Sequence, residues 1–136
     1  MFHQYQIKVA VLVFTLCFSA HIVSGLTVAC DGGLTGAVRW KGGDVTCIKG
    51  NQERERHSCR YKSCSLNGNK WVEMDTCRIH GAPRTDPGIS KQQCTDYSWM
   101  ADGTYSCTNA GDRTYDCYNL SPDTVPYITC NDCNPA

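Results

Sequence analysis

The stretch CRYKSCSLNGNKWVEMDTCRIH (residues 59–80) decides the fold when it is laid on its later counterpart, CTNAGDRTYDCYNLSPDTVPYITCNDC (residues 107–133). Cys64 and Cys77 are separated by twelve residues, as are Cys117 and Cys130, and each later cysteine follows its counterpart by 53 positions. A repeated spacing of this kind indicates an internal duplication. We therefore predict two similar tandem modules, 26–80 and 81–136, joined at the Pro- and Gly-rich segment GAPRTDPG (81–88).

Composition favours covalent or metal cross-links over a conventional core. The chain has 136 residues and 11 cysteines, and after residue 25 it has only four Leu, four Ile and five Val. So few aliphatic side chains cannot form an ordinary packed core. Short chains of this kind replace the missing burial with disulfides or bound metal. Large catalytic folds such as barrels are excluded by the length alone.

The N-terminus has the pattern of a secretory signal peptide over 1–25. Lys8 precedes the apolar run VAVLVFTLCF (9–18), and Val23-Ser24-Gly25 provides a cleavage site. The run is shorter than the roughly 20 residues that cross a bilayer, so we expect a secreted mature protein without a membrane segment. Cys17 leaves with the signal, and the mature chain keeps ten cysteines.

The charge pattern gives no indication of a nucleic-acid partner. Past residue 25 the chain has 12 basic and 13 acidic side chains, and the run Glu53-Arg54-Glu55-Arg56 mixes both signs. Mixed charge of this kind is typical of a solvated face rather than of a phosphate-binding patch.

Local patterns predict an all-β protein. Residues 57–65 and 70–77 alternate loosely around Asn67-Gly68, which is a strong hairpin signal. The second module has short β-prone runs at 103–108, 113–119 and 125–130, with a turn at 109–112. No ten-residue stretch has helical periodicity.

The ends of the two modules suggest metal ligands. Cys77-x₂-His80 aligns with Cys130-x₂-Cys133 when the two modules are superposed by the 53-residue offset. A histidine can replace a thiolate as a zinc ligand, but it cannot form a disulfide. Each module offers four donors, with no open position, which predicts two structural rather than catalytic Zn²⁺ sites. The predicted ligands are Cys59, Cys64, Cys77 and His80 in the first module, and Cys107, Cys117, Cys130 and Cys133 in the second.

Five disulfides are the competing interpretation. An even number of cysteines in an exported protein is what a fully oxidised chain shows. Cys30, Cys47 and Cys94 fall outside the two predicted quartets, and His57 is a further candidate ligand that leaves other groupings open. His57-Ser58-Cys59 lacks an orienting third group, so we do not expect an enzyme.

The duplicated module, its Cys-x₂-His and Cys-x₂-Cys ends, the signal peptide and the high cysteine content together resemble the small cysteine-rich secreted effectors of rust fungi. The pattern is most similar to wheat stem-rust avirulence proteins built of two zinc-binding β modules. The resemblance implies delivery into the host cytoplasm, binding to host proteins and detection by an intracellular plant immune receptor. The alternative is a disulfide-stapled inhibitor or antimicrobial protein that works outside cells.

Overall fold

The structure is a computed structural model that describes residues 25–38, 42–83, 85, 88–118 and 127–136. The predicted signal peptide lies outside the described residues except for Gly25, as do the predicted strand start at 125–126 and parts of the 81–88 segment.

The predicted β class is confirmed over the described part of the chain, where a 3₁₀ turn at Tyr61–Ser63 is the one helical element. Short strands with alternating burial form everything else, as expected for segments rich in Thr, Val, Tyr and Cys. The ten strands are β1 (Leu26–Ala29), β2 (Gly33–Thr35), β3 (Asp44–Lys49), β4 (Glu55–Arg60), β5 (Cys64–Ser65), β6 (Val72–Ile79), β7 (Ser90–Trp99), β8 (Tyr105–Asn109), β9 (Thr114–Cys117) and β10 (Thr129–Pro135).

All strand pairings are antiparallel and follow one path, β1-β10-β4-β3-β2-β7-β6-β9-β8, with β5 pairing β10. β7 also pairs β8, so β6, β7, β8 and β9 close into a four-stranded ring. The remaining strands form the other half of the molecule, and β2 joins it to the ring through β7. Gly33 allows that junction, because a Cβ there would lie 2.7 Å from the carbonyl oxygen of Tyr97.

The two turns predicted from sequence are present. Asn67 and Gly68 have φ of 48° and 84° and lie inside the Leu66↔Asn69 bridge, as a two-residue hairpin turn requires. Asn109 Oδ1 accepts the amides of Gly111 and Arg113, both at 3.0 Å, and so fixes the β8–β9 turn.

The flanking strands of the first hairpin do not pair as predicted. β5 pairs β10, while β6 pairs β7 and β9, so the bridge at Leu66↔Asn69 is all that remains of the expected hairpin. A strong turn signal thus fixes a local reversal, but tertiary pairing decides which strands follow it.

Strand pairing crosses the predicted module boundary at residue 80 in both directions. β6, which ends the first predicted module, belongs to the ring, and β10, which ends the second, pairs β1, β4 and β5. The Cys64↔Cys130 register matches the Cys77↔Cys117 register after the 53-residue offset. The strands that end the two predicted modules, β6 and β10, are therefore exchanged between the two halves of the sheet.

Cysteine dominates the core, as the composition predicts. All ten cysteines from Cys30 to Cys133 are at most 2% exposed. Tyr97 and Tyr105 are the largest fully buried side chains, and the aliphatic residues between the sulfurs are few. The fully or nearly buried aliphatic residues and methionine are Val28, Leu34, Val45, Ile48, Val72, Met74 and Ile128.

Candidate functional site: two clusters of paired cysteines

The ten cysteines of the described chain form five disulfides. Two close short loops, Cys30–Cys47 between the β1–β2 connection and β3, and Cys94–Cys107 between β7 and β8. The other three connect strands far apart in sequence, with separations of 40 to 74 residues; they are Cys59–Cys133, Cys64–Cys130 and Cys77–Cys117.

The structure does not assemble either predicted zinc quartet. Cys59, Cys64 and Cys77 of the first quartet each form a disulfide with a cysteine of the second, namely Cys133, Cys130 and Cys117 respectively. Cys107 pairs with Cys94, which belongs to neither quartet. Exchange of β6 and β10 is the physical reason, because it brings together cysteines that the repeat places in different modules.

The first proposed imidazole ligand lies away from the sulfurs. The side chain of His80 is 68% exposed, and its Nδ1 lies 2.9 Å from Oδ1 of Asp116 on β9. His80 is in none of the groups of His, Cys, Asp or Glu ligand atoms that converge within the described residues.

The second candidate imidazole is buried but does not join a sulfur group either. His57 is 6% exposed and lies on β4, opposite Cys47 of β3 and Pro135 of β10. Its Nε2 is 3.7 Å from a carboxylate oxygen of Glu55, and neither ring nitrogen has a hydrogen-bond partner in the described chain. His57 is therefore a core side chain rather than a ligand in this arrangement.

The disulfides are stacked into two clusters, one in each half. Cys30 Sγ lies 3.6 Å from Cys130 Sγ, and the sulfurs of Cys59, Cys130 and Cys133 all lie within 4.8 Å of one another. Three disulfides thus meet at Cys130, and we call their six cysteines the six-sulfur cluster. In the ring, the sulfurs of Cys94, Cys107 and Cys117 also lie within 4.8 Å. With Cys77, bonded to Cys117, they form the four-sulfur cluster.

The duplication explains His80 without a metal. By the 53-residue offset, His80 is the counterpart of Cys133, which pairs with Cys59 in the six-sulfur cluster. The counterpart of Cys59 is Cys107, which pairs with Cys94 instead. A cysteine at position 80 would therefore have no unpaired counterpart of Cys59 with which to form a disulfide. An exposed histidine there is compatible with full oxidation of the cysteines.

Two buried tyrosines tie β7 and β8 of the ring to the other half of the molecule. The Tyr97 hydroxyl donates to the carbonyl of Cys30 at 2.8 Å and accepts the amide of Ile128 at 3.2 Å. The Tyr105 hydroxyl lies 3.2 Å from the carbonyl of Asp31 and 3.1 Å from the Tyr127 hydroxyl. Burial raises the pKa of both phenols well above the ordinary value, so both stay protonated and donate.

Asp96 is a positioning residue that the sequence analysis missed. Its carboxylate on β7 accepts the backbone amides of Gly36, Ala37 and Val38 at 3.1, 2.6 and 3.2 Å. A negatively charged acceptor holding three successive amides fixes the segment after β2 against the ring. Asp96 belongs to no motif that would have marked it as an anchor in the sequence.

The chemistry open to these sulfurs depends on their redox state. Oxidised and buried, they are neither nucleophiles nor ligands, since the thiolate is the reactive form. Three groups nevertheless have sulfurs close enough to hold a metal ion: Cys30, Cys47 and Cys130; Cys59, Cys130 and Cys133; and Cys94, Cys107 and Cys117. The coarse expectation of metal-capable cysteine clusters is thus met, with different members from those predicted.

No family model, curated protein or solved structure matches this chain. Within the described residues, no helix has the length and apolar character needed to cross a bilayer.

Proposed function

We propose that this chain is a secreted effector of the rust-fungus type, a disulfide-stapled protein that acts by binding host components rather than by catalysis. The observation that carries the proposal is that all ten cysteines past residue 25 pair into five disulfides. Complete pairing fits passage through an oxidising export pathway, and it agrees with the signal-peptide pattern of residues 1–25. Both features are equally compatible with an extracellular inhibitor or antimicrobial protein.

A secreted scaffold of this size suits binding better than chemistry. Stapled strands hold side chains rigidly on the surface, and rigidity lowers the entropy lost when a partner is bound. The partners that we propose are host proteins, among them an intracellular immune receptor, in agreement with the resemblance noted above. Membranes and nucleic acids are not proposed as partners.

Zinc binding is the second candidate, favoured by the close approach of sulfurs in the two clusters. If the protein enters the reducing cytosol of a host cell, the disulfides are reduced and the freed thiolates become metal ligands. The four-sulfur cluster of Cys77, Cys94, Cys107 and Cys117 then offers four thiolates, the number that a structural Zn²⁺ site takes, and three of these sulfurs lie within 4.8 Å of one another. This set replaces the quartets predicted from spacing, and it does not include His80.

Thiol counting with metal analysis tests the redox state. The secreted protein, purified without reductant, is expected to show no free thiol and no stoichiometric zinc. The same protein, reduced and dialysed against zinc, is expected to take up metal. The Cys94→Ala/Cys107→Ala variant is expected to take up less zinc. His80→Ala is the control and is expected to leave the zinc content unchanged. Free thiols and bound zinc in the unreduced protein would contradict the stapled form.

Expression in host leaves tests the effector function and its compartment. A chain without residues 1–25 is made in the cytosol, and the full chain is exported. If the cytosolic form causes cell death only in plants of a particular resistance genotype, the result supports an intracellular receptor. Activity confined to purified protein applied outside cells, or inhibition of a hydrolase or of microbial growth there, favours the extracellular alternative instead.

A further inference from the structure

One concave surface of the ring has no cysteine in its lining. This cleft, of about 440 Å³, is lined by the outward faces of β6 and β7 and by the β8–β9 turn. Its size falls within the roughly 300–1,000 Å³ of small-molecule sites. Because it is built on the ring, which the Cys77–Cys117 and Cys94–Cys107 disulfides staple, its walls are held in a fixed geometry.

Strand alternation explains which side chains reach the cleft. Glu73 of β6 is directly opposite Gln93 of β7, while their neighbours Val72 and Cys94 are fully buried on the other face. Trp71 precedes β6 on the same side as Glu73 and is half-buried. The outward face of β6 and β7, which is otherwise polar, therefore carries a large aromatic ring at one end.

The turn between β8 and β9 forms a wall of the cleft, and Thr95 of β7 faces it. Thr95 lies two residues after Gln93, so alternation along β7 brings both side chains into the lining. The β7–β8 register shifts between Cys94 and Asp96, next to Thr95. Asn109, Ala110 and Gly111 of the turn complete the wall.

The polar groups of the cleft are mainly neutral and able both to donate and to accept. Gln93 is exposed, and its carboxamide has no hydrogen-bond partner among the described residues. Asn109 uses Oδ1 for the turn, which leaves its NH₂ without a partner in the described chain. Thr95 donates to the carbonyl of Thr108 at 3.2 Å and keeps oxygen lone pairs for a ligand.

The charged groups at the rim are one lysine between two carboxylates, with a net charge of −1. Lys91 Nζ lies 3.5 Å from Glu73 and 3.4 Å from Asp75. Hydrogen bonding and attraction to Asp75, and then to Glu73, raise the pKa of Lys91, so the cation persists at neutral pH. A site with this net negative charge does not select phosphates or sulfates, which need a cationic excess.

The side chains that line the cleft suit a sugar. Beside the cleft, β6 pairs β7 from Val72 to Met74, and β7 pairs β8 from Cys94 to Trp99. The lining offers a π face that packs against C–H groups, and amides and hydroxyls that bond ligand hydroxyls. Pyranose rings present both surfaces.

We propose that this cleft binds a neutral oligosaccharide, with Trp71 packed against a sugar ring and Gln93, Thr95 and Asn109 hydrogen-bonded to its hydroxyls. The inference goes beyond the effector function and does not depend on it, because it rests only on the surface of the ring. An extracellular or an intracellular protein could use the same cleft.

Calorimetric titration of the secreted, oxidised protein with cellohexaose, laminarihexaose and chitohexaose tests the proposal. At least one hexasaccharide is expected to bind. Trp71→Ala is expected to weaken binding about five- to tenfold, as loss of an aromatic contact does. Gln93→Ala is expected to weaken it about threefold to tenfold through a lost hydrogen bond. Gln52→Ala, an exposed glutamine in the β3–β4 loop, is the matched control and is expected to leave the affinity unchanged.

Three results would overturn the proposal. The first is no binding of any of the three sugars at millimolar concentration. The second is an unchanged affinity of the Gln93→Ala variant when the spectrum of that variant is native. This criterion does not use Trp71→Ala, so it holds even if that variant fails to fold. The third is binding only of a sulfated hexasaccharide, abolished by high salt, which would show an ionic site instead. None of these results bears on thiol content or on leaf assays, so failure here is distinguishable from failure of the effector function.

Discussion

At the scale of single residues, a few polar side chains connect parts of the chain that the sequence keeps far apart. Tyr97 joins β7 to the carbonyl of Cys30 and the amide of Ile128, 67 and 31 residues away. Asp96, its neighbour, holds the segment after β2. The side chains of these two residues therefore connect distant segments by hydrogen bonds, where other proteins use contacts in a larger apolar core.

Tyr97→Phe is expected to lower the free energy of unfolding by about 1–3 kcal/mol, because it leaves two buried backbone groups without this partner. Guanidinium titration under non-reducing conditions measures the change. Tyr115→Phe is the matched control, since that hydroxyl makes no hydrogen bond to the described residues and its loss should change stability little. Equal stabilities of the two variants would remove the Tyr97 hydroxyl from the framework.

The raised pKa values of Tyr97 and Tyr105 predict loss of stability in alkali. Above pH of about 10 the unfolded chain loses phenolic protons that the folded chain retains, so stability falls as pH rises, by up to about 1.4 kcal/mol per pH unit for each group. Below that pH the contribution is constant. Thermal unfolding between pH 8 and 11 is expected to show the slope in the natural chain and a shallower one in Tyr97→Phe. A slope that the substitution leaves unchanged would assign the alkaline loss to other groups.

Asp96→Ala is expected to destabilise the protein by about 2–3 kcal/mol, because three amides lose a charged acceptor. Hydrogen exchange at Gly36, Ala37 and Val38 should quicken more than exchange in the ring. Asp44→Ala, at an exposed position of β3, serves as the control. Unchanged exchange at the three amides would show that the segment is held by other contacts.

At the scale of elements, strand partners decide what each cysteine becomes. The turns at Asn67-Gly68 and at 109–112 follow from local chemistry, and the β class follows from alternation and composition. The choice of disulfide partners does not follow from local chemistry, because even eight cysteines allow about 105 pairings. The spacing argument placed Cys77 beside His80 on one ion, whereas β6 leaves its own module and brings Cys77 to Cys117. Equivalent positions in a repeat share spacing but not surroundings once their strands are exchanged.

Disulfides that link distant strands are expected to stabilise more than local ones. The chain-entropy relation gives about 4.5 kcal/mol for the 74-residue separation of Cys59–Cys133 and about 3 kcal/mol for the 13-residue separation of Cys94–Cys107. Paired Cys→Ala substitutions, which leave no free thiol, followed by thermal unfolding test the ranking. A larger loss from Cys94→Ala/Cys107→Ala would show that folded-state packing in the ring outweighs loop entropy.

At the scale of the whole molecule, the segments before and after residue 80 are interlocked. Three of the five disulfides cross the predicted boundary at residue 80, and each half needs a strand from the other repeat. The domain division at 26–80 and 81–136 stays a prediction drawn from sequence, and the interlocked strands give it a direct test.

Fragments 26–80 and 81–136, expressed separately, are each expected to give poorly dispersed amide spectra and non-native disulfides. Mixing them in a thiol redox buffer is expected to recover the native pairs. A protease cut within 81–88 of the oxidised protein is the control, since the disulfides should hold the two pieces together. A well-dispersed spectrum for fragment 26–80 with bound zinc would instead support independent modules.

The exchanged last strand has a consequence for biosynthesis. A ribosome releases the chain from its N-terminus, yet the thiols at 59 and 64 find their partners only 74 and 66 residues later, in the final strand. Oxidation before Cys130 and Cys133 have been made can therefore form only wrong pairs at Cys59 and Cys64, and thiol–disulfide exchange is then needed to reach the native ones. A chain that stops before Cys130 would leave Cys59 and Cys64 without their disulfide partners.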